Sequence, residues 1–466
     1  MRKAHEVREL EKDALDEILI EIENCRVSRL KSLKIGYNLH IKAFPEEIRQ
    51  LTWLTSLSVV CTAINAVPDW IDELKQLRVL DISSNYNIKN LPSSLANLKH
   101  LKKLIVDNTD IEEIPPFIGD IHSLELLEID LYDAEVIPKS IIDLPNLRRI
   151  ETRGCDISHF PALAAKQHKL NMQECVRHIN ICKKRRSKKL DLSYLHAGAL
   201  PEELAELHWL EELDLTCNNL KKLPQWIGNF KNLKVLILDT NELTSLPQSI
   251  GNLKNLKKIV LSFNRIKTLP DSFGNLASLE KFYLCERHNH PGLEEMHGQG
   301  SWFTLLPASF GNLASLKEFF ISDTRMTRLP NSFGNLQSLR TLSILETISD
   351  DFYFPPSMKN LKSLRKVAFS SFTHLPEFIG ELKNLTVLDI DHNKLEVLPG
   401  YIANLKKLKK LNLHSTLIRE LPDWIENLNN LVTLDITHNE IAVYPGVVKK
   451  LPKLKHFADD SNLYNR

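Results

Sequence analysis

Residues 210–233 read LEELDLTCNNLKKLPQWIGNFKNL, and the same pattern recurs along almost the whole chain of 466 residues. It can be written LxxLxLxxNxLxxLPxxIGNLxx. Most copies of its proline are 23 residues apart, and the seventeen positions are Pro45, Pro68, Pro92, Pro115, Pro138, Pro161, Pro201, Pro224, Pro247, Pro270, Pro307, Pro330, Pro355, Pro376, Pro399, Pro422 and Pro445. A period held over that length predicts one solenoid of stacked repeats rather than several globular domains.

Each part of the repeat predicts a local structure. The alternating LxL part is typical of a short strand with one buried face. The asparagine position predicts a ladder of buried amides that satisfy backbone groups after each strand, and its members are Asn218, Asn241, Asn264, Asn393 and Asn439. The proline fixes φ and starts a return segment. Apolar residues three and six positions later, such as Ile250 and Leu253, predict one helical turn that faces inward.

The 23-residue unit with its LPxxIGNLxxL segment resembles the intracellular type of the leucine-rich repeat superfamily over roughly residues 30–457. It is similar to plant and animal Ras-group-related repeat proteins and to bacterial leucine-rich repeat proteins. The resemblance implies an α/β leucine-rich repeat solenoid, a curved horseshoe or arc of about 17–18 repeats. A parallel β-sheet would line the concave face, with short helices, 3-10 turns and loops on the convex face. It also implies a protein partner, and a small GTPase, a phosphatase and a host protein all remain open by family analogy.

Composition narrows the function classes. The formal net charge of +1 favours neither nucleic acid nor an anionic membrane as a partner. The seven cysteines are scattered without a CxxC pair, which predicts neither a disulfide framework nor a zinc site and favours a reducing compartment. No signal peptide and no apolar run of membrane-spanning length are visible. We therefore expect a cytoplasmic monomer, with export by a route without a Sec signal left open.

The interruptions of the period divide the chain. Residues 1–27 are predicted to be an N-terminal capping helix, because Val7, Leu10, Ala14, Ile18 and Ile22 fall at helical spacing. Residues 28–163 form a first sub-array of repeats, and residues 164–187 are interpreted as a helical, basic insertion. Residues 188–457 form a second sub-array that contains an inserted loop at 285–303. Residues 458–466 form a C-terminal tail.

The insertion at 164–187 reads AAKQHKLNMQECVRHINICKKRRS, and a basic stretch follows its apolar, helix-like part. The basic residues are Lys183, Lys184, Arg185, Arg186, Lys188 and Lys189. Three interpretations stay open: a nuclear-import patch, a contact for an acidic partner, and a solvated connection between the sub-arrays. No aromatic residues interleave with these charges, so the stretch does not favour nucleic-acid binding.

The inserted loop at 285–303 reads CERHNHPGLEEMHGQGSWF. Its imidazoles and carboxylates are of the kinds that bind metals, although their spacing matches no known motif, and they are His288, His290, His297, Glu294 and Glu295. A metal-dependent or otherwise cryptic enzyme is therefore kept as an alternative. The preferred interpretation is a loop that leaves the concave edge after a strand and covers part of that face. Trp302 and Phe303 are expected to anchor it, and contact with a ligand is the alternative role of both residues.

The single x of each LxL faces away from the core, on the concave surface. From the N-terminus these residues are Lys34, Ser58, Asp81, Ile105, Glu128, Glu151, Asp191, Asp214, Ile237, Val260, Tyr283, Phe320, Ser343, Ala368, Asp389, Asn412 and Asp435. The four consecutive apolar members, with Phe263 beside Tyr283, predict a contact site for a partner. Cover by loop 285–303 is the alternative. The acids Asp191, Asp214, Asp389 and Asp435 favour a basic partner surface, or else serve solubility.

The sequence contains none of the GxxxxGK[ST], HExxH or GxSxG motifs. No catalytic, cofactor-binding or metal-binding residue is assigned, and no cofactor is expected. The favoured function is a non-catalytic scaffold that binds a protein partner through the concave face. A bacterial effector or adhesin-like protein that binds a host protein is a further alternative, beside the cryptic enzyme.

Overall fold

The computed structural model describes residues 2–111, 113–130, 138–153, 161–285, 302–346, 352–442 and 445–460. The side chains of Val7 and Leu10 lie outside this description. The chain divides into two compact units, Met1–Glu174 and Cys175–Arg466, which we call unit 1 and unit 2. Helix α3 (Pro161–Arg185) contributes residues to both units.

Unit 1 begins with helix α1 (Arg2–Val27) and continues into a parallel sheet. Its six described strands follow one another in chain order across the sheet. They are β1 (Ser32–Asn38), β2 (Ser56–Thr62), β3 (Val79–Asp81), β4 (Lys103–Val106), β5 (Leu126–Asp130) and β6 (Arg149–Arg153). A short helix, α2 (Lys139–Ile142), lies between β5 and β6 in the chain.

Unit 2 contains a parallel sheet of twelve described strands, also in chain order. They are β7 (Lys189–Asp191), β8 (Glu212–Asp214), β9 (Val235–Ile237), β10 (Lys258–Val260), β11 (Lys281–Cys285), β12 (Glu318–Ser322), β13 (Thr341–Leu345), β14 (Lys366–Phe369), β15 (Val387–Asp389), β16 (Lys410–Asn412), β17 (Thr433–Asp435) and β18 (His456–Ala458). Both units thus confirm the predicted α/β leucine-rich repeat solenoid.

The strands pair in the register of the repeat, and this register is unchanged where the spacing between repeats is longer than 23 residues. Ile237 lies opposite Val260, and Val260 lies opposite Tyr283, each one repeat of 23 residues apart. The next pairing, Tyr283 with Phe320, spans the inserted loop and keeps the same register. The described strands therefore keep the same register on both sides of this longer gap, and the side-chain alternation that separates core from surface is preserved.

The return segments are single turns of 3-10 helix that begin after the repeat proline. In unit 1 these turns are Glu46–Gln50, Asp69–Glu73, Ser93–Asn97 and Pro116–Asp120; in unit 2 they are Glu202–Glu206, Gln225–Asn229, Gln248–Asn252, Asp271–Asn275, Ala308–Asn312, Asn331–Asn335, Pro356–Asn360, Glu377–Glu381, Gly400–Asn404, Asp423–Asn427 and Gly446–Lys450. Pro247 shows why proline suits this position, because its φ of −70° matches the angle that its ring imposes. Ile250 and Leu253 are both fully buried, as their spacing predicts.

The glycine of the IGN segment allows successive return turns to stack closely. A Cβ atom at Gly251 would lie 2.2 Å from the carbonyl oxygen of Ser272 in the next turn. A Cβ atom at Gly311 would lie equally close to the carbonyl oxygen of Ser332. Gly400 has no atom within 4 Å of that position, so the requirement belongs to the closely stacked turns and not to every glycine.

The asparagine side chains bridge neighbouring repeats. The amide nitrogen of Asn241 donates to the carbonyl oxygens of Leu215 and Leu238, at 2.9 and 3.0 Å. Its oxygen accepts from the backbone amides of Asn218 and Leu220, at 3.1 and 3.0 Å. One side chain therefore satisfies buried backbone groups on both sides of the turn that follows its strand.

Unit 1 holds an asparagine of the same kind that the sequence analysis missed. Asn85 is fully buried and donates to the carbonyl oxygens of Val59 and Ile82, at 2.7 and 2.8 Å. The segment LDISSN at 80–85 carries the repeat signal that could have identified it.

The core of unit 2 contains a row of phenylalanines beneath its central strands. Phe310 stacks on Phe273 and on Phe333, with ring centroids 6.0 and 6.1 Å apart. Phe282 of β11 and Phe319 of β12 stack on each other at 5.5 Å and meet Phe310 edge to face. These rings are fully buried, and they fix the strands that carry the apolar surface residues Tyr283 and Phe320.

Each unit begins with a helix that packs on its first strand. Ile22 and Cys25 of α1 are buried in the core of unit 1. In the second half of α3, Ile179 and Cys182 are buried in the core of unit 2. Leu163 from the first half of α3 belongs to the core of unit 1. The predicted insertion at 164–187 thus falls largely within α3.

The turns after these two helices share a set of contacts. In unit 1 the Trp53 indole donates to the carbonyl oxygen of Leu30 at 3.0 Å, and the Arg29 guanidinium lies over its ring at 5.0 Å. In unit 2 the Trp209 indole donates to Ser187 at 3.1 Å, and Arg186 lies over it at 4.4 Å. Neither α1 nor α3, the long helices among the described residues, has the apolar run needed to cross a membrane.

Candidate functional site

Four apolar side chains lie next to one another on the outward face of the unit 2 sheet, which we call the sheet face. They occupy the same position in adjacent strands and form the apolar patch: Ile237, Val260, Tyr283 and Phe320. All four are half-buried. The rings of Tyr283 and Phe320 lie 6.2 Å apart at an interplanar angle of 43°. Adjacent strands are about 4.8 Å apart, so the patch extends across roughly 14 Å of sheet.

Charged side chains hold the aromatic end of this patch in place. The Tyr283 hydroxyl donates to the Glu318 carboxylate, which also pairs with the ammonium group of Lys281 at 2.9 Å. The ammonium group of Lys258 lies 5.6 Å from the centroid of the Tyr283 ring. Burial and the neighbouring Glu318 carboxylate raise the pKa of Tyr283 to about 12. The phenol therefore stays neutral and oriented at physiological pH.

Phe263 lies in the turn after β10 and not in a strand. Its φ of 54° is in the left-handed region, which bulky residues rarely adopt. The residue before the asparagine position takes this conformation in other repeats too, as at Thr240 and His392. The amide of Phe263 donates to the carbonyl oxygen of Cys285 at 2.8 Å. Phe263 therefore adjoins the end of β11, the strand that carries Tyr283.

The end of the inserted loop is attached to unit 2 through the described residues after 301. Phe303 is fully buried in the core. Trp302 is half-buried, and the ammonium group of Lys267 lies 5.7 Å from its ring. Thr304 donates its amide to the carbonyl oxygen of Lys267 at 2.9 Å. The metal-ligand candidates of the loop, His288, His290, His297, Glu294 and Glu295, lie outside the described residues.

Four acids were predicted to face outward from the unit 2 sheet, and three of them accept hydrogen bonds within their own turns. Asp191 Oδ1 accepts from the hydroxyl and the amide of Ser193, at 2.6 and 2.9 Å. Asp214 Oδ1 accepts from the hydroxyl and the amide of Thr216 at the same two distances. The Ser193 hydroxyl and amide hold the pKa of Asp191 below its ordinary value. Both carboxylates therefore fix the turn after their strand through these hydrogen bonds.

The remaining two acids lie near the C-terminal end of unit 2. Asp435 Oδ1 accepts from the hydroxyl and the amide of Thr437, at 2.6 and 3.0 Å, and so repeats the arrangement at Asp214. Asp389 Oδ1 instead accepts from the side-chain amide of Asn412 in the next strand, at 2.7 Å.

A shallow hollow of about 240 Å³ lies where the acidic strands meet the apolar patch. Residues of β7, β8 and β9 line it, and they are Lys189, Leu190, Asp191, Glu212, Leu213, Asp214, Val235 and Ile237. The Lys189 ammonium group pairs with the Glu212 carboxylate at 2.7 Å. The hollow therefore carries three carboxylates against one ammonium group, beside an apolar wall.

Part of the basic stretch is engaged by the repeat that follows it. Lys188 pairs with Glu211 at 2.6 Å, and Lys183 pairs with Glu206. Each of these acids lies 23 residues after its lysine, as does Trp209 after Arg186. Hydrogen bonds from Lys188 and Lys234 lower the pKa of Glu211 to about 2. These contacts support a structural role of the stretch as the junction between α3 and the first repeat of unit 2.

A row of histidines follows strands β15 to β17 and was not singled out from the sequence. The rings of His392 and His414 lie 5.2 Å apart, and those of His414 and His438 lie 4.8 Å apart. The three residues fall in equivalent turns, but His414 lies one position earlier in its turn than His392 and His438, so the 23-residue period alone does not align them. Within the part of the chain that the structure describes, no group of three or more potential ligands is arranged to hold a metal ion.

Family models for leucine-rich repeats match several parts of the chain. A leucine-rich repeat region matches residues 155–259. A second leucine-rich repeat model matches residues 231–290 and 383–441, and a third matches residues 76–98. No curated protein matches the sequence.

Among solved structures, a leucine-rich repeat protein of Leptospira interrogans is 26% identical, with a TM-score of 0.46, over 92% of this chain and 89% of that one. An internalin from Listeria monocytogenes is 17% identical, with a TM-score of 0.38, over 92% and 86%. The ectodomain of a plant membrane receptor kinase from Arabidopsis thaliana is 18% identical, with a TM-score of 0.38, over 92% of this chain. The match spans 60% of that receptor chain.

Proposed function

We propose that this chain, which belongs to the leucine-rich repeat superfamily, is a non-catalytic scaffold that binds a protein partner through the sheet face of unit 2. Proteins with this repeat are in general interaction modules, and the repeats provide a rigid, regularly spaced surface. The contact surface in this proposal is the apolar patch, with Phe263 at its edge.

The observation that carries the proposal is the register of β9 to β12. It places four half-buried apolar side chains side by side on a surface whose equivalent positions elsewhere are mostly polar. A contiguous apolar area on a protein surface marks a contact site more often than scattered apolar residues do. Tyrosine is enriched among the residues that dominate binding energies, because it combines a large apolar ring with a hydroxyl group.

The side-chain network around Tyr283 supports the same proposal. Glu318 and Lys258 hold the ring in one orientation before any partner arrives. A side chain that is already ordered loses less conformational entropy on binding, so more of the contact energy contributes to affinity. The stacked phenylalanines beneath β11 and β12 keep the two strands themselves from shifting.

The test is quantitative affinity purification with the full chain as bait. The double variant Tyr283→Asp/Phe320→Asp places two charges in the patch, and we expect recovery of the specific partner to fall at least about tenfold. Val387→Asp provides the matched control, because Val387 is a half-buried residue on the same face at β15. That variant is expected to recover the partner as the wild type does.

Far-ultraviolet circular dichroism and thermal unfolding must show that both variants remain folded. If the double variant is folded and recovers the same proteins in the same amounts as the wild type, the apolar patch is not the contact surface.

A further inference from the structure

The hollow at β7 to β9 and the apolar patch form one continuous surface. Ile237 belongs to both, since it lines the hollow and begins the patch. Asp214 is paired in register with Ile237, so the last acid and the first apolar residue are direct neighbours. The sheet face of β7 to β12 therefore changes from acidic to apolar within a single strand spacing.

The chemistry of the hollow selects one kind of side chain. Val235 and Ile237 provide an apolar wall, while Asp191, Glu212 and Asp214 provide carboxylates, only one of which is paired with Lys189. Lysine and arginine carry an apolar stem that ends in a cation, so they can cover the wall with the stem and reach the carboxylates with the charged end. An acidic side chain would meet like charges there, and a purely apolar one would remove water from the carboxylates without supplying an opposite charge.

We propose that the hollow receives a lysine or arginine side chain of the protein partner, and that the apolar side chains of the same segment lie on the patch from Ile237 to Phe320. This inference rests on the proposed function and names the chemistry of the occupant: a basic residue followed or preceded by apolar ones. The carboxylates of the hollow favour a cationic side chain, and the adjoining patch favours apolar side chains in the same segment.

The geometry also sets a spacing. Three strand steps separate Ile237 on β9 from Phe320 on β12, or about 14 Å, and an extended chain advances about 3.3 Å per residue. A basic residue in the hollow therefore lies about four residues from an apolar residue over Phe320, if the segment crosses the strands in an extended conformation.

Selection from a phage-displayed library of random dodecapeptides, panned on the immobilised full chain, tests this inference. We expect the enriched peptides to carry lysine or arginine about four residues from an aromatic or large aliphatic residue. Binding of a synthetic copy, measured by fluorescence anisotropy, should weaken as salt concentration rises, because a charge pair forms at the partly exposed hollow.

Substitution of asparagine for the acids isolates the charge. Asp191→Asn/Asp214→Asn removes both carboxylates but keeps an Oδ1 that accepts the hydrogen bonds of Ser193 and Thr216, so the turns are expected to persist. We expect the affinity of the enriched peptide to fall about tenfold. Asp81→Asn is the matched control, because Asp81 Oδ1 accepts from the hydroxyl and the amide of Ser83 in unit 1, at 2.7 and 3.1 Å, and the substitution should leave affinity unchanged.

The outcomes separate this inference from the proposed function. Peptides that lose binding in Tyr283→Asp/Phe320→Asp but bind equally well to Asp191→Asn/Asp214→Asn would overturn the basic occupant and leave the patch as a contact surface. Enrichment of acidic peptides, or of peptides without a basic residue, would do the same. Failure to enrich any peptide that depends on Tyr283 and Phe320 would overturn both.

Discussion

Units 1 and 2 are built from the same repeat but carry different side chains on the outward faces of their sheets. In unit 1 the six sheet-face positions hold one apolar residue among polar and charged ones, and they are Lys34, Ser58, Asp81, Ile105, Glu128 and Glu151. In unit 2 four consecutive positions are apolar, and two acids, Asp191 and Asp214, precede them. Most core positions of both units are buried. Variation is therefore concentrated at the positions that packing does not constrain.

The beginnings of the two units show the opposite behaviour. Each first turn joins a buried cysteine, an arginine and a tryptophan in the same arrangement. Cys25 lies 3.6 Å from the carbonyl oxygen of Leu30, and Cys182 lies 3.5 Å from that of Ser187. A stack of repeats must cover its first apolar layer, and two units that each contain such a cover satisfy that requirement separately. The covering elements of the two units are therefore alike, whereas the outward faces of their sheets differ.

The largest expected effect tests whether the units are separate in stability. Phe310→Ala removes the central ring of the phenylalanine row and should lower the free energy of unfolding of unit 2 by about 3–5 kcal/mol. Ile118→Ala removes a fully buried residue at the equivalent position of unit 1 and should cost about 2–5 kcal/mol there. Hydrogen exchange with mass spectrometry should show each loss of protection within the unit that carries the substitution. Equal loss across both units would contradict the separation.

An intermediate effect tests the resemblance of the two first turns. Trp53→Phe and Trp209→Phe each remove an indole N–H that donates to a backbone carbonyl oxygen. We expect each substitution to lower the stability of its own unit by about 1 kcal/mol, since a neutral hydrogen bond contributes about that much. Denaturant unfolding followed by hydrogen exchange measures the two values. A loss of stability in only one unit would show that the two turns share a geometry but that their hydrogen bonds contribute differently to stability.

The smallest expected effect is a change in how the stability of unit 2 falls at alkaline pH. The pKa of Tyr283 and that of Tyr401 are both raised to about 12, mainly by burial. Because the folded state holds these protons more tightly than the unfolded state, their contribution is complete below about pH 10 and is lost as pH rises towards 12. Tyr283→Phe should therefore reduce the loss of stability between pH 10 and 12.

Urea unfolding of unit 2, monitored at pH 9 and pH 11.5, measures that difference. Tyr37→Phe in unit 1 is a suitable control, because Tyr37 is 80% exposed. An unchanged pH dependence in Tyr283→Phe would show that the phenol ionises as easily in the folded protein as in the unfolded chain.

Much of the fold followed from the repeat itself. The proline and the apolar positions around Ile250 predicted the inward-facing turn, because a buried return segment needs those residues at that spacing. Alternation in each LxL predicted which residues face outward, including Tyr283 and Phe320. The local pattern was sufficient to predict these features because each repeat contacts mainly its neighbours in the chain. Residues that are close in space are therefore also close in sequence, about one repeat apart.

Other features of the candidate site depended on contacts that span a repeat. The sequence assigned 164–187 to an insertion, and only packing revealed that Ile179 and Cys182 lie in the core of unit 2. The hydrogen bonds of Asp191 and Asp214 within their turns could not be predicted from the sequence either. The sequence shows the hydroxyl residues Ser193 and Thr216 but not their orientation, so it does not show that one oxygen of each carboxylate accepts hydrogen bonds within the turn.

The sequence by itself determined the repeat, the parallel solenoid and the outward positions of the strands, because periodicity in one dimension becomes stacking in three. The tertiary structure decided where one unit ends and the next begins, how Glu318 and Lys258 orient Tyr283, and that an acidic hollow adjoins the apolar patch. Those features arise from side chains 23 to 37 residues apart that meet only after the strands have aligned, and no local pattern encodes their distances or orientation.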